Sequence, residues 1–176
     1  MQQMLANLRA RREDERGFTL IELMVVVLII AILIAIAIPT FLGAKTRAQD
    51  KAAQSSLRNA LTNAKGIYTD QDSYGATTAA LVTNLTAAEP SLTFQTAAST
   101  GAKLVSVDVR STSSLVMVAK SAGGNCYAIG DVSTGPGTMF ANLGTGSCVA
   151  TSAPTLPTTA PTTANATSGG GWAQAW

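Results

Sequence analysis

Hydrophobic positions fall into distinct regimes along the chain. Across residues 18–38 only Thr19 and Glu22 are polar, and 23–38 is apolar without a break. As a helix, a stretch of this length reaches roughly 31 Å, about one hydrocarbon thickness. Pro39 follows; it has no N–H and kinks or ends a helix. From Thr40 to Tyr68 the pattern becomes one-sided. Ala53, Leu57, Ala60, Leu61, Ala64 and Tyr68 recur at spacings of three and four, the period of one helix face. Ala, Gln, Leu, Arg and Lys fill much of the rest, all favourable in helices. This reads as one long helix, with any bend near Pro39, apolar all round in its first half and amphipathic in its second. The turn cluster at 69–75 ends it.

Residues 78–85 predict a short helix capped by Thr78. Runs of period two follow. Val105, Val107 and Val109 alternate with Ser106, Asp108 and Arg110, and Leu115, Met117 and Ala119 alternate with Val116, Val118 and Lys120. With a tight connection at 111–114 they form an antiparallel hairpin. Residues 92–96 and 126–132 add flanking strands. Helix first and strands later gives an α+β fold: a long N-terminal helix on an antiparallel sheet of about three to four strands.

Composition sharpens this picture. Of 176 residues, 47% are hydrophobic and 12% charged, against about 25% charged in average soluble domains. There is no histidine, which removes the usual general base, zinc ligand and pH switch together. The net charge of +2 gives no grounds for a nucleic-acid footprint. The charges are unevenly placed. Arg9, Arg11, Arg12, Arg16, Glu13, Asp14 and Glu15 precede the apolar run, and no charged side chain follows Asp131. Residues 150–176 are rich in Thr, Ala and Pro and read as a flexible or extended stalk. Three glycines at 169–171 precede Trp172 and Trp176, the only tryptophans.

The N-terminal segment admits several readings. A secretory signal peptide would be cut near Leu42, Gly43 and Ala44, but its apolar core is normally 7–15 residues. A plain membrane anchor leaves Glu22 unexplained, because a carboxylate in an apolar span is costly and marks a functional position. The string GFTLIELMVVVLIIAILIAIAIP at 17–39 resembles the N-terminal signature of type IV pilins and pseudopilins. The resemblance implies that a membrane peptidase cuts after Gly17 and that the new N-terminal residue, Phe18, is N-methylated. It places the family's glutamate at Glu22 and its helix-distorting proline at Pro39. In a filament, the α-amino group of a neighbour's Phe18 would pair with the buried Glu22 carboxylate, setting register while apolar packing supplies adhesion.

The positive-inside count is a tie between the four leader arginines and Lys45, Arg47, Lys51 and Arg58. The leader's role and the cysteines break it, leaving the C-terminal domain outside. Cys126 and Cys148 then read as a disulfide, which resembles the family's C-terminal loop; two buried free thiols are the alternative. That loop holds five glycines and reads as turn-rich and surface-facing.

Other candidates carry less. Asp70 and Asp72 sit in a sequence faintly like the start of a calcium loop, but Tyr74 and Leu81 occupy ligand positions, so it reads as a turn and no metal is expected. Lys51, Arg58 and Lys65 recur every seven residues, a basic stripe that reads as a polar face; binding of nucleic acid by it has weak support. Asn84 and Asn165 begin glycosylation triplets. For Trp172 and Trp176, docking on the chain's own sheet, contact with a neighbour and outward display all stay open.

The organisation expected is a cleaved leader (1–17), a transmembrane and assembly helix (18–39), a globular domain including the second half of the helix (40–149) and a tail (150–176). The function expected is structural and not enzymatic, with no cofactor: a subunit that polymerises into an extracellular fibre, serving adhesion, motility or DNA uptake. Its partners would be identical subunits, the peptidase, the assembly machinery and, before assembly, membrane lipid. A pseudopilin of a secretion or competence machine, and a monomeric membrane-anchored binding domain, are the alternatives.

Overall fold

The computed structural model describes residues 18–161 and 171–176. The chain divides into two compact units, Met1–Gly43 and Ala44–Trp176, taken in turn below. A single helix, α1 (Leu20–Gln71), runs through both and contains Pro39. It continues past the proline, whose ring removes one backbone donor from the helix. Thr40 sends its hydroxyl back to the Ile36 carbonyl at 3.2 Å.

In the first unit α1 carries no core. Every large apolar side chain from Phe18 to Leu42 is exposed, between 47% and 84%. The second unit has the opposite character. Ala53, Leu57, Ala60, Leu61 and Ala64 of α1 are buried, the face the periodicity predicts, with Tyr68 half-buried beside them. Helix α1 stops where Asp72 takes a left-handed φ of 51°, a conformation short polar side chains tolerate. The Tyr74 amide then donates to the Thr112 carbonyl at 2.7 Å.

A second helix, α2 (Thr78–Ala88), is capped by Thr77, whose side chain accepts from the Ala80 amide. The cap expected at Thr78 lies one residue earlier because the Thr78 hydroxyl accepts instead from the Val109 amide, at 3.0 Å.

The sheet has five strands: β1 (Thr93–Gln95), β2 (Leu104–Ser111), β3 (Ser114–Lys120), β4 (Cys126–Val132) and β5 (Gly137–Gly144), in that spatial order. β1 pairs parallel to β2, and the rest form an antiparallel meander. The fold is α+β, as read from the sequence, with one strand beyond the upper count. That strand, β5, occupies the stretch read as a turn-rich loop. Its glycines lie mostly at its ends, and Met139 and Ala141 point into the core.

Two apolar layers sandwich the sheet. On the α1 side, Val105, Val107, Leu115, Met117, Tyr127 and Ile129 meet Leu57, Leu61, Leu81 and Leu85. On the other side, Val116, Val118, Ala128, Met139 and Ala141 meet Cys148, Ala150, Ala153 and Trp172. β3 is therefore buried on both faces, which is why its sequence is apolar at even and odd positions alike. The stalk reading of the tail does not hold where Ala150, Ala153, Leu156 and Trp172 cover the second face of the sheet.

Candidate functional site

The start of α1 is built by a reciprocal cap. Thr19 gives its amide and its hydroxyl to Glu22 Oε2, each at 2.8 Å. The Glu22 amide returns a bond to Thr19 Oγ1 at 3.2 Å. This is a capping box: two residues three apart satisfy each other's free donors at the helix end. Its sequence signal is Thr19-x-x-Glu22 immediately before an apolar run, so Thr19 is a participant legible in the chain that pattern reading passed over. Glu22 thus has a defined role within one subunit. Its carboxylate is also the only acid in the apolar stretch, one turn from Phe18, which is 84% exposed. Gly17 lies outside the described residues. Pro39 sits inside α1, at the far end of the same bare stretch.

In the second unit, Cys126 and Cys148 form a disulfide, with Cα atoms 5.3 Å apart. It ties β4 to the segment that crosses the outer face. Arg110 reinforces that crossing: its Nη2 donates to the carbonyls of Ala150 and Ala153 at 2.8 and 3.3 Å, while its Nε pairs with Asp108 at 2.6 Å. The Ala150 amide donates to Ser106 Oγ at 3.0 Å.

The three cations of the basic stripe each have partners within the chain. Lys51 donates to Gln54 Oε1 at 3.0 Å. The Arg58 guanidinium stacks over Phe140 and Trp176, 5.4 and 5.1 Å from the ring centroids. Lys65 pairs with Asp131 at 2.9 Å and donates to Thr138 at 2.8 Å. Asp70 lies in the last turn of α1 and Asp72 follows it, which makes the segment a helix end. Tyr74 turns inward and donates to Asp131 at 2.6 Å. Asn84 is exposed on α2; Asn165 lies outside the described residues.

Asp131 was visible in the sequence only as an isolated late charge, and its role was not. It is fully buried. Oδ1 accepts from Thr138 Oγ1 at 2.8 Å and Oδ2 from Ser133 Oγ at 3.0 Å, besides Lys65 and Tyr74. Burial by itself raises a carboxyl pKa; here the hydrogen bonds from Tyr74, Lys65 and Thr138 and the Lys65 charge outweigh it, so Asp131 lies below its ordinary value.

Comparison with known proteins bears on the N-terminal stretch. The family described as the prokaryotic N-terminal methylation motif matches residues 13–38. No curated protein and no solved structure matches the chain. The matched segment spans the Gly17–Phe18 junction, the Thr19–Glu22 cap and the bare apolar part of α1, and it points to a structural protein rather than an enzyme. Such a leader motif on an apolar helix that continues into an α+β unit supports a type IV pilin- or pseudopilin-like precursor and implies processing by a prepilin peptidase.

Proposed function

We propose that the chain is a fibre-forming pilin subunit that polymerises through the apolar stretch of α1. The observation that carries this is the exposure of eighteen large apolar side chains between Phe18 and Leu42, on a helix long and apolar enough to cross a membrane. At about 25 cal/mol per Å² such a surface cannot stay in water; lipid covers it before assembly and neighbouring helices cover it afterwards. Cleavage after Gly17 frees the Phe18 amine, which is methylated and pairs with a neighbouring subunit's Glu22. The precursor sits in the cell membrane with unit 44–176 outside, and the fibre is extracellular. The disulfide favours an oxidising exterior and, by the family resemblance, a fibre former over a pseudopilin.

Mass spectrometry of the mature N-terminus tests the reading. N-methylated Phe18 in sheared surface fibres is the expected result. An N-terminus beginning at Met1, or a cut near Ala44, overturns it. Electron microscopy at native expression separates the fibre subunit from a pseudopilin, which leaves no surface fibres. Gly17→Leu should leave an unprocessed precursor in the membrane.

A further inference from the structure

The last five residues clasp the outer edge of the sheet, with one indole on each face. Trp172 is buried on the face away from α1. Its N–H donates to the carbonyls of Pro154 and Thr155 at 3.3 and 3.1 Å. Trp172 lies over Gly130 together with Leu156: a Cβ at Gly130 would lie 2.3 Å from Leu156 Cδ2 and 2.9 Å from the indole Cη2, so a larger residue there would displace both. Ala173 then pairs antiparallel with Phe140 of β5, both N–H···O bonds at 2.8 Å. After a bend at Gln174, Trp176 reaches the α1 face and donates to the Ala141 carbonyl at 3.1 Å. Its ring packs 4.6 Å from Phe140 and 6.0 Å from Tyr127, under the Arg58 guanidinium.

These are the parts of a peptide-binding groove. An edge strand supplies backbone pairing, and two flanking pockets select aromatic side chains. Among the described residues β5 has a strand partner only on its β4 side, so without the clasp its other edge is open for pairing. The segment is tethered through residues 162–170, and the ten peptide steps from Pro161 to Gly171 span at most about 35 Å. A copy whose groove lies within that reach of Pro161 can take the segment. Because every copy carries the same groove and the same segment, exchange replaces each contact with an identical one, the condition under which swapping between protomers is cheap.

We propose that the groove around β5 is a receptor for residues 172–176, and that it takes this segment from a second copy of the chain as well as from its own. Exchanged tails would then lace neighbouring subunits together. Lacing within a fibre rests on the assembly reading above; the affinity of the groove for the segment does not.

The test uses full-length Trp172→Ala/Trp176→Ala chain in detergent, which has no tryptophan. Titration of a synthetic peptide of residues 169–176 should give a saturable blue shift of the peptide's indole emission. Adding Arg58→Glu to this receptor should weaken binding at least tenfold. No saturable shift, from a receptor with an intact disulfide and unchanged circular dichroism, overturns the groove. Exchange is read by mixing that receptor, which offers an open groove, with full-length Arg58→Glu chain, which offers a tail and a weakened groove. A heterodimer in size-exclusion chromatography, absent from either chain alone, is expected. Peptide binding without a heterodimer overturns exchange between copies while leaving the fibre reading to the mass-spectrometric test.

Discussion

Nζ of Lys65 on α1 lies 2.9 Å from Oδ1 of Asp131 on β4, pairing a lysine whose side chain is 46% exposed with a carboxylate that is 1% exposed. The pair joins the amphipathic half of the helix to the C-terminal end of β4. Tyr74, just beyond the end of α1, reaches the other carboxylate oxygen. Asp131 is the last charged residue in the chain, and it is kept ionised in the core because four side-chain donors replace its water.

Removing the acceptor should cost far more than removing the cation. Asp131→Ala leaves the Tyr74 and Thr138 hydroxyls without their partner, and a loss of about 3–5 kcal/mol is expected. Lys65→Met should cost about 1 kcal/mol or less, since the lysine is half solvated and three hydroxyls remain on the carboxylate. Denaturant unfolding of the detergent-solubilised chain, followed by near-ultraviolet circular dichroism, measures both. Equal losses would mean that the ion pair, and not the hydroxyl cluster, holds the site.

Stability should form a plateau in pH that falls away at each end. The folded pKa of Asp131 is depressed, so its contribution is complete above the ordinary aspartate value of about 3.9 and is lost as pH drops through the folded value. Burial, then the bond to Asp131, raises the Tyr74 hydroxyl; its contribution is present below about 10 and is lost as pH climbs toward the folded value. Each group limits the slope to about 1.4 kcal/mol per pH unit. In Asp131→Asn the acid limb should shrink. An acid limb of unchanged steepness in that variant would refute the assignment.

The Cys126–Cys148 bridge joins positions 22 apart and should contribute roughly 3 kcal/mol by restricting the unfolded chain. Its loop contains all of β5, and the Cys148 carbonyl accepts from the Ser99 amide at 2.8 Å. Reduction should therefore loosen the outer layer as well as lower overall stability. A red shift of tryptophan emission reports the clasp, because Trp172 on the outer face and Trp176 on the α1 face are the only indoles. Reduction that lowers stability with no change in emission would show that the clasp holds without the bridge.

Glu22 has a capping role that one subunit displays and a pairing role that assembly would add. Glu22→Gln separates them, since glutamine completes a capping box but carries no charge. Glu22→Leu and Glu22→Gln should both insert into the membrane, and neither should enter fibres. Thr19→Val should cost about 1 kcal/mol of helix-end stability and still permit fibres. Fibres at normal yield from Glu22→Gln would leave Glu22 a cap and nothing more. Immunoblots of membrane and sheared-fibre fractions give the readout.

Local patterns made much of the fold legible. The spacing of Leu57, Leu61 and Ala64 named the buried face of α1, the alternation about 111–114 named the hairpin, and the unbroken run at 23–38 named the exposed apolar helix. Each follows from the 3.6-residue or two-residue period of an element acting on its own stretch. The Thr19–Glu22 cap was equally local and was there to be read. What the sequence by itself determined is therefore the set of elements, their apolar faces and the leader motif, all of which depend on neighbours a few residues apart. Tertiary structure alone decided the rest. β5 became a strand because β4 pairs with it, although its glycines locally favour turns. Asp131 became the centre of a buried polar cluster because Lys65 and Tyr74, 66 and 57 residues earlier, arrive beside it. The tail became a clasp because Gly130 leaves room for an indole that lies 42 residues further on. Contacts at such separations are fixed by which surfaces the folded chain brings together, and no periodicity in one segment encodes them.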